Sequence, residues 1–222
     1  NLNMKKILSI SEENLLVLII VGSVLVRLLA SIILGNQVTQ MPGIADQLTY
    51  HTLAQRVMNG FGFTFDQPWW PATHAGDPTA HWSYIYTFYL VFVYKLFGVN
   101  ALLARIIQAI IIGILQPLIL YKISKIIFPE ISGLFSAGWI AIYPYLIYYS
   151  AALMTESWFI TVVLAVFWSA IRIKPAKTTI SYYLLLGLLS GIAILLRQVF
   201  MLFIPFLFLW ILWNHRNTGL LK

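Results

Sequence analysis

Only seven acidic residues are spread over the 222 positions, and two of them sit where a charge is expensive. Glu156 is the single charged residue between Ile131 and Ile171. A carboxylate in such an apolar tract costs desolvation free energy in a protein core or in lipid, so it belongs at an edge or serves chemistry. Asp46 opens a stretch, 46–58, whose apolar residues Leu48, Tyr50, Leu53, Ala54, Val57 and Met58 recur at helical spacing before Asn59-Gly60 stops it. A carboxylate can take a proton, hold a divalent cation, or cap a helix. Four cations, Lys95, Arg105, Arg197 and the mid-span Arg27, are candidates for binding phosphate, which a guanidinium grips with a two-pronged fork. Each also has a plainer reading. Asp46, or Thr155 with Glu156 behind it, would cap a helix, and Lys95 and Arg197 would snorkel to headgroups. Arg27 is too deep for that and needs a partner, a carboxylate or a phosphate.

The elements that must hold these groups are membrane helices. The chain is 60% hydrophobic and 9% charged, with mean hydropathy +0.85, far from the quarter-charged composition of soluble domains. It has no Cys, which excludes disulfides and thiolate metal sites. Spans of about twenty apolar residues fit 15–35, 101–121, two helices with a hinge near 150–156 inside 131–171, 178–197 and 199–213. The fold class is therefore all-α, a polytopic bundle of about six transmembrane helices with interfacial helices at 46–58 and 81–98 in a long first outer loop. Six spans put Lys5, Lys6, Lys122, Lys125, Arg172, Lys174, Lys177, Arg216 and Lys222 on one side, leaving Arg56, Lys95, Arg105 and Arg197 on the other. That bias makes the first side cytoplasmic and puts Asp46 and Glu156 at the outer face, with Tyr143, Tyr145, Tyr148 and Tyr149 as an interfacial belt.

Several stretches resemble one family. PGIADQLTYHTLAQRVMNGFGFTF (42–65) has an acidic residue after the first span, a Tyr four later and a Gly-Phe-Gly turn. VYKLFGVNALLARIIQAIIIGIL (93–115) is similar to a KLFG-like turn before an Arg-containing span, YPYLIYYSAALMTESWFITVVLAV (143–166) to a second outer loop where an acidic residue opens the next helix, and LLLGLLSGIAILLRQVFMLFIPFLF (184–208) to a glycine-containing helix ending in Arg. Together they resemble the GT-C superfamily of polyprenyl-phosphate-sugar-dependent glycosyltransferases, in the branch of protein O-mannosyltransferases and lipid A aminoarabinose transferases. Where family members often carry paired prolines, this chain has His81-Trp82-Ser83. Many members are longer, so 1–222 is expected to be a single transmembrane module forming the N-terminal part of a longer protein.

The resemblance implies transfer of a sugar from a polyprenyl-phosphate donor to a hydroxyl of a lipid, glycan or protein acceptor, with inversion, at the outer face of a bacterial plasma membrane. Asp46 is then the general base and Glu156 a second carboxylate, which positions hydroxyls or holds a divalent cation. Arg197, Arg105 and Lys95 are phosphate ligands, and Tyr50 and His81 complete the substrate-binding set. No metal ligand set and no nucleic-acid partner is expected, and membrane lipids surround the bundle. His74, Asp77 and His81 lie on a Pro/Gly loop that no regular element orders. Trp69, Trp70 and Trp82 suit sugar stacking or interface anchoring, and Gly187-Leu-Leu-Ser-Gly191 suits close helix packing. The competing reading is a transporter, a flippase or a noncatalytic subunit. Transporters tend to carry inverted repeats and midplane ionisable groups, and this chain shows no repeat.

Overall fold

A computed structural model describes residues 11–69, 74–128, 132–173 and 179–215. Lys5, Lys6, Trp70, Lys174, Lys177, Arg216 and Lys222 lie outside the described residues. Those residues form nine α-helices and no strand: α1 (Glu12–Leu34), α2 (Asp46–Met58), α3 (Tyr84–Phe97), α4 (Ala101–Ile127), α5 (Ser132–Ile142), α6 (Pro144–Ala151), α7 (Glu156–Ile171), α8 (Ile180–Leu196) and α9 (Ile204–His215). A 3-10 turn, Gln198–Phe203, leads into α9. α1, α4 and the combined segment Gln198–His215 are each long and apolar enough to cross a membrane. α3, α5 and α8 are shorter apolar helices.

The hinge expected near 150–156 is the non-helical segment 152–155, across which α6 and α7 meet at 118°. A second break falls inside the stretch read as one span, at Tyr143. Its cause is local, because Pro144 holds the preceding residue in an extended conformation (φ −65°, ψ 116°) and has no N–H. The carbonyl of Ile140 therefore loses the donor that a continuous helix would supply. Arg27 replaces it: Nη2 donates to Ile140 O at 3.0 Å and Nη1 to Ala141 O at 2.9 Å. Its other bonds go to Ser23 and Gln116. Among the described residues Arg27 meets no carboxylate; fully buried, it gives its guanidinium to backbone at a helix break, as irregular backbone in a membrane requires.

Contacts sort the bundle into two ends. At one, Lys125 of α4 pairs with Glu12 of α1 at 2.9 Å, Arg172 after α7 donates to Tyr182 of α8, and Tyr183 of α8 bonds His215 of α9. At the other, Arg105 near the start of α4 binds the carbonyls of Gly35 and Ala151, while Ser83 Oγ donates to Leu195 O near the end of α8. The described residues therefore run between these two ends six times, with α5 and α6 sharing one run, and α2 and α3 sit together in the 36–100 connection. α1 and α4 approach so closely at Gly113 that a Cβ there would lie 3.0 Å from Val24 Cα. Gly187 and Gly191, expected to pack closely, face nothing within 4 Å, so this GxxxG is not a contact within the bundle.

Candidate active site

α2 buries Tyr50, Leu53 and Ala54 against Trp82, Tyr86, Leu90 and Tyr94 at and within α3. The Tyr50 ring meets Trp82 edge-on at 5.5 Å and Tyr86 at 5.0 Å. Ser83 caps α3 by accepting from the Tyr86 N–H, and its bond to Leu195 O ties that cap to the end of α8. These contacts enclose a cavity of about 970 Å³ lined by Asp46, Tyr50, His81, Trp82, Arg197 and Gln198, with Val199, Met201 and Leu202 along one side. The last three are exposed apolar side chains.

α8 stops at Leu196. Arg197 then takes an extended conformation (φ −148°, ψ 114°), which turns its guanidinium back across α7. Nη1 binds Glu156 Oε1 at 2.9 Å, with Glu156 12% and Arg197 41% exposed. Glu156 Oε2 is buried and has no hydrogen-bond partner. Thr155 does not cap α7 with its side chain, so the plain capping pair expected there is absent and Glu156 carries the only acid of that turn. Arg197 already provides the countercharge that a divalent cation would bring to Glu156. Among the described residues no three His, Asp or Glu side chains converge.

Asp46 is the first residue of α2, half-buried, and Ala45 before it makes no side-chain cap. Among the described residues no hydrogen bond or ion pair reaches the Asp46 carboxylate, although the backbone around it is firmly held. Tyr148 Oη donates to Pro42 O at 3.0 Å and Tyr149 Oη to Gly43 O at 2.8 Å. Gly43 has φ +74°, and a Cβ there would fall 2.8 Å from Tyr149 Oη. On the other flank the buried Gln47 donates to Thr39 O at 2.6 Å and accepts from Arg105 Nη2 at 2.9 Å. Between the carboxylates, burial pushes the Tyr50 phenol up to about 12; the Glu156 and Asp46 charges add to this, while the Ser83 N–H and Thr155 hydroxyl oppose it. Tyr50 is therefore a neutral phenol at any physiological pH.

Of the site residues expected from sequence, the cavity brings together Asp46, Tyr50, His81 and Arg197, with Glu156 behind Arg197. It does not bring in Lys95 or Arg105. Lys95 is exposed near the far end of α3 from Tyr84, eleven residues or about 16 Å along the helix. Arg105 is wholly buried and makes four hydrogen bonds, to Gly35 O, Gln37 O, Gln47 Oε1 and Ala151 O. Sequence reading missed Gln47, Ser83 and the tyrosine straps. It also missed Gln108, which accepts from Tyr86 Oη and Trp158 Nε1 and donates to Ser150 O and Ala152 O. A glutamine inside a predicted span is the one signal that could have found that hub.

The site is an interhelical cavity in a helical membrane bundle, lined by a carboxylate and an arginine that stand at helix ends. The model of the dolichyl-phosphate-mannose-protein mannosyltransferase family matches residues 83–222, more than half of the chain, and the chain belongs to that family. It is a membrane glycosyltransferase of the GT-C type. The match contains Glu156 and Arg197, whereas Asp46 and Tyr50 precede it. No curated protein and no solved structure gave a match.

Proposed function

We propose that this chain moves a sugar from a polyprenyl-phosphate donor to a hydroxyl of a lipid, glycan or protein acceptor. The observation that carries this reading is an Asp46 carboxylate that no described residue pairs and a half-exposed Arg197 guanidinium, both lining one cavity whose side is exposed apolar surface. Asp46 takes the proton of the acceptor hydroxyl, whose oxygen attacks the anomeric carbon as the carbon–oxygen bond to phosphate breaks. The electron pair leaves with the polyprenyl phosphate, which gains a second negative charge beside Arg197. A single displacement inverts the anomeric centre. Glu156 keeps Arg197 aimed at the cavity through the 2.9 Å pair. Tyr50, a phenol throughout, and His81, exposed beside Trp82, face the same space.

The cavity's location at the end opposite Lys122, Lys125 and Arg172 supports an outer-face site in the plasma membrane. The test compares membrane glycolipids and glycoproteins by mass spectrometry in cells making the full-length protein, its Asp46→Asn variant, or neither. A glycan present only with the unaltered protein is expected. Removing a general base costs about 10²–10⁴ in turnover, so the Asp46→Asn sample should resemble the deletion. Identical glycans in all three would return the chain to the transporter or noncatalytic-subunit reading.

A further inference from the structure

The end of the bundle opposite the cavity carries charges that sugar transfer does not use. Lys122 Nζ lies 5.0 Å and Arg172 Cζ 4.7 Å from the ring centroid of Trp168, so two exposed cations share one indole. The Arg172 guanidinium also lies 5.5 Å from the Tyr182 ring and donates to its hydroxyl at 3.3 Å. Among the described residues neither cation has a carboxylate partner. Lys125, less than a turn further along α4, differs: its ammonium is held 2.9 Å from Glu12. Stacking fixes the positions of Lys122 and Arg172 but leaves both charges uncompensated by any described residue, and like charges gathered at one ring repel unless an anion lies between them.

The surroundings indicate which anion. α4, α7 and α8 all begin or end at this level, where a bilayer places its phosphates. Leu118 and Leu115 follow Lys122 toward the middle of α4, about one and two turns away on the same face, and Leu115 is 36% exposed. A pair of cations above an apolar strip matches a molecule with a phosphate at its head and an acyl chain below it, with the indole and phenol at the boundary between them. We infer that Lys122 and Arg172, set by Trp168 and Tyr182, form a site for the phosphate headgroup of an anionic membrane lipid.

The full-length protein, reconstituted in phosphatidylcholine discs with or without phosphatidylglycerol, tests this by native mass spectrometry of the lipid retained. Unaltered protein and the Lys125→Gln variant should retain phosphatidylglycerol equally, because Lys125 is already neutralised. The Lys122→Gln, Arg172→Gln double variant should bind it roughly 30-fold more weakly, and Lys122→Gln alone roughly fivefold. Thermal unfolding in pure phosphatidylcholine checks that each variant is folded, and the single variant carries the test where the double does not fold. Equal retention by unaltered and substituted proteins overturns the site. Equal loss in Lys125→Gln overturns it too, by showing diffuse attraction to any basic residue at this end. Displacement of phosphatidylglycerol by millimolar inorganic phosphate overturns the lipid assignment in favour of a free anion.

Discussion

Substituting Arg197 by Ala leaves Glu156 buried without the one ion-pair partner it has among the described residues. Unit charges about 4 Å apart interact by about 4 kcal/mol at an effective dielectric near 20. Arg197 is 41% exposed, so water screens the pair and the net loss of stability should be about 1–2 kcal/mol. Glu156→Gln removes the carboxylate charge instead, and the double variant Arg197→Ala, Glu156→Gln should recover most of the stability lost in Arg197→Ala. Turnover should behave differently. Losing a preorganised donor to developing charge costs about 10²–10³ in kcat, and the double variant has no cation to restore it. Arg197→Lys, which keeps charge without the fork, should fall between. Denaturation of the protein in mild detergent gives the stability cycle, and donor consumption by membranes gives kcat and KM. Recovery of turnover together with stability in the double variant would refute the catalytic role, leaving the pair as a structural tie between α7 and α8. Unchanged stability in Arg197→Ala would refute the electrostatic argument itself.

Three further outcomes are expected. Gly43→Ala forces a side chain into a left-handed conformation and against Tyr149 Oη, costing about 1–2 kcal/mol; Tyr149→Phe in the same chain should relieve the clash but not the backbone strain, read as two successive shifts in thermal unfolding. His51 on α2 has its pKa lowered from 6.5 by burial and then by the Arg105 charge, and its Nδ1 lies 2.7 Å from Tyr94 Oη. Its folded pKa is below its unfolded one, so this stability is complete above pH 6.5 and drains as pH falls toward the folded value; His51→Gln should flatten that decline in melts between pH 7.5 and 5. The chain lacks Cys, so Asp77→Cys and Ser181→Cys can be labelled singly in intact cells by an impermeant thiol reagent. Only the former should react, and equal labelling would contradict six passes with an outer cavity.

The sequence made the elements legible where chemistry punctuates the chain. α2 begins at Asp46 and ends before Asn59-Gly60, and α8 gives way at Arg197. The break at Tyr143 was also written, in Pro144, but lay inside a stretch whose uniform hydropathy reads as one span. Side-chain partners were harder. Arg27, Arg105 and Gln108 bind backbone carbonyls exposed at helix ends, and a carbonyl has no residue type to betray it. Arg105 and Lys95 were read as phosphate ligands from their charge and the family resemblance, whereas the fold gives Arg105 to the backbone and places Lys95 toward the far end of α3. Asp46 and Arg197, at helix ends where side chains face outward, were located by position.

The Arg27 clasp also bears on how the protein is made. α1 leaves the ribosome long before α5, and alone it carries a guanidinium at its sixteenth residue, a burden of about 2.5–3.5 kcal/mol at the centre of an inserting helix. α5 arrives with the complementary defect, the open carbonyls of Ile140 and Ala141. Lipid penalises each half alone, and only their union removes both penalties. Insertion of α1 is therefore expected to be more favourable in a chain long enough to include α5 than in one truncated before it, which glycosylation mapping of truncated chains would read. An Arg27→Leu substitution should remove that dependence on α5 while leaving the carbonyls of Ile140 and Ala141 without their donor.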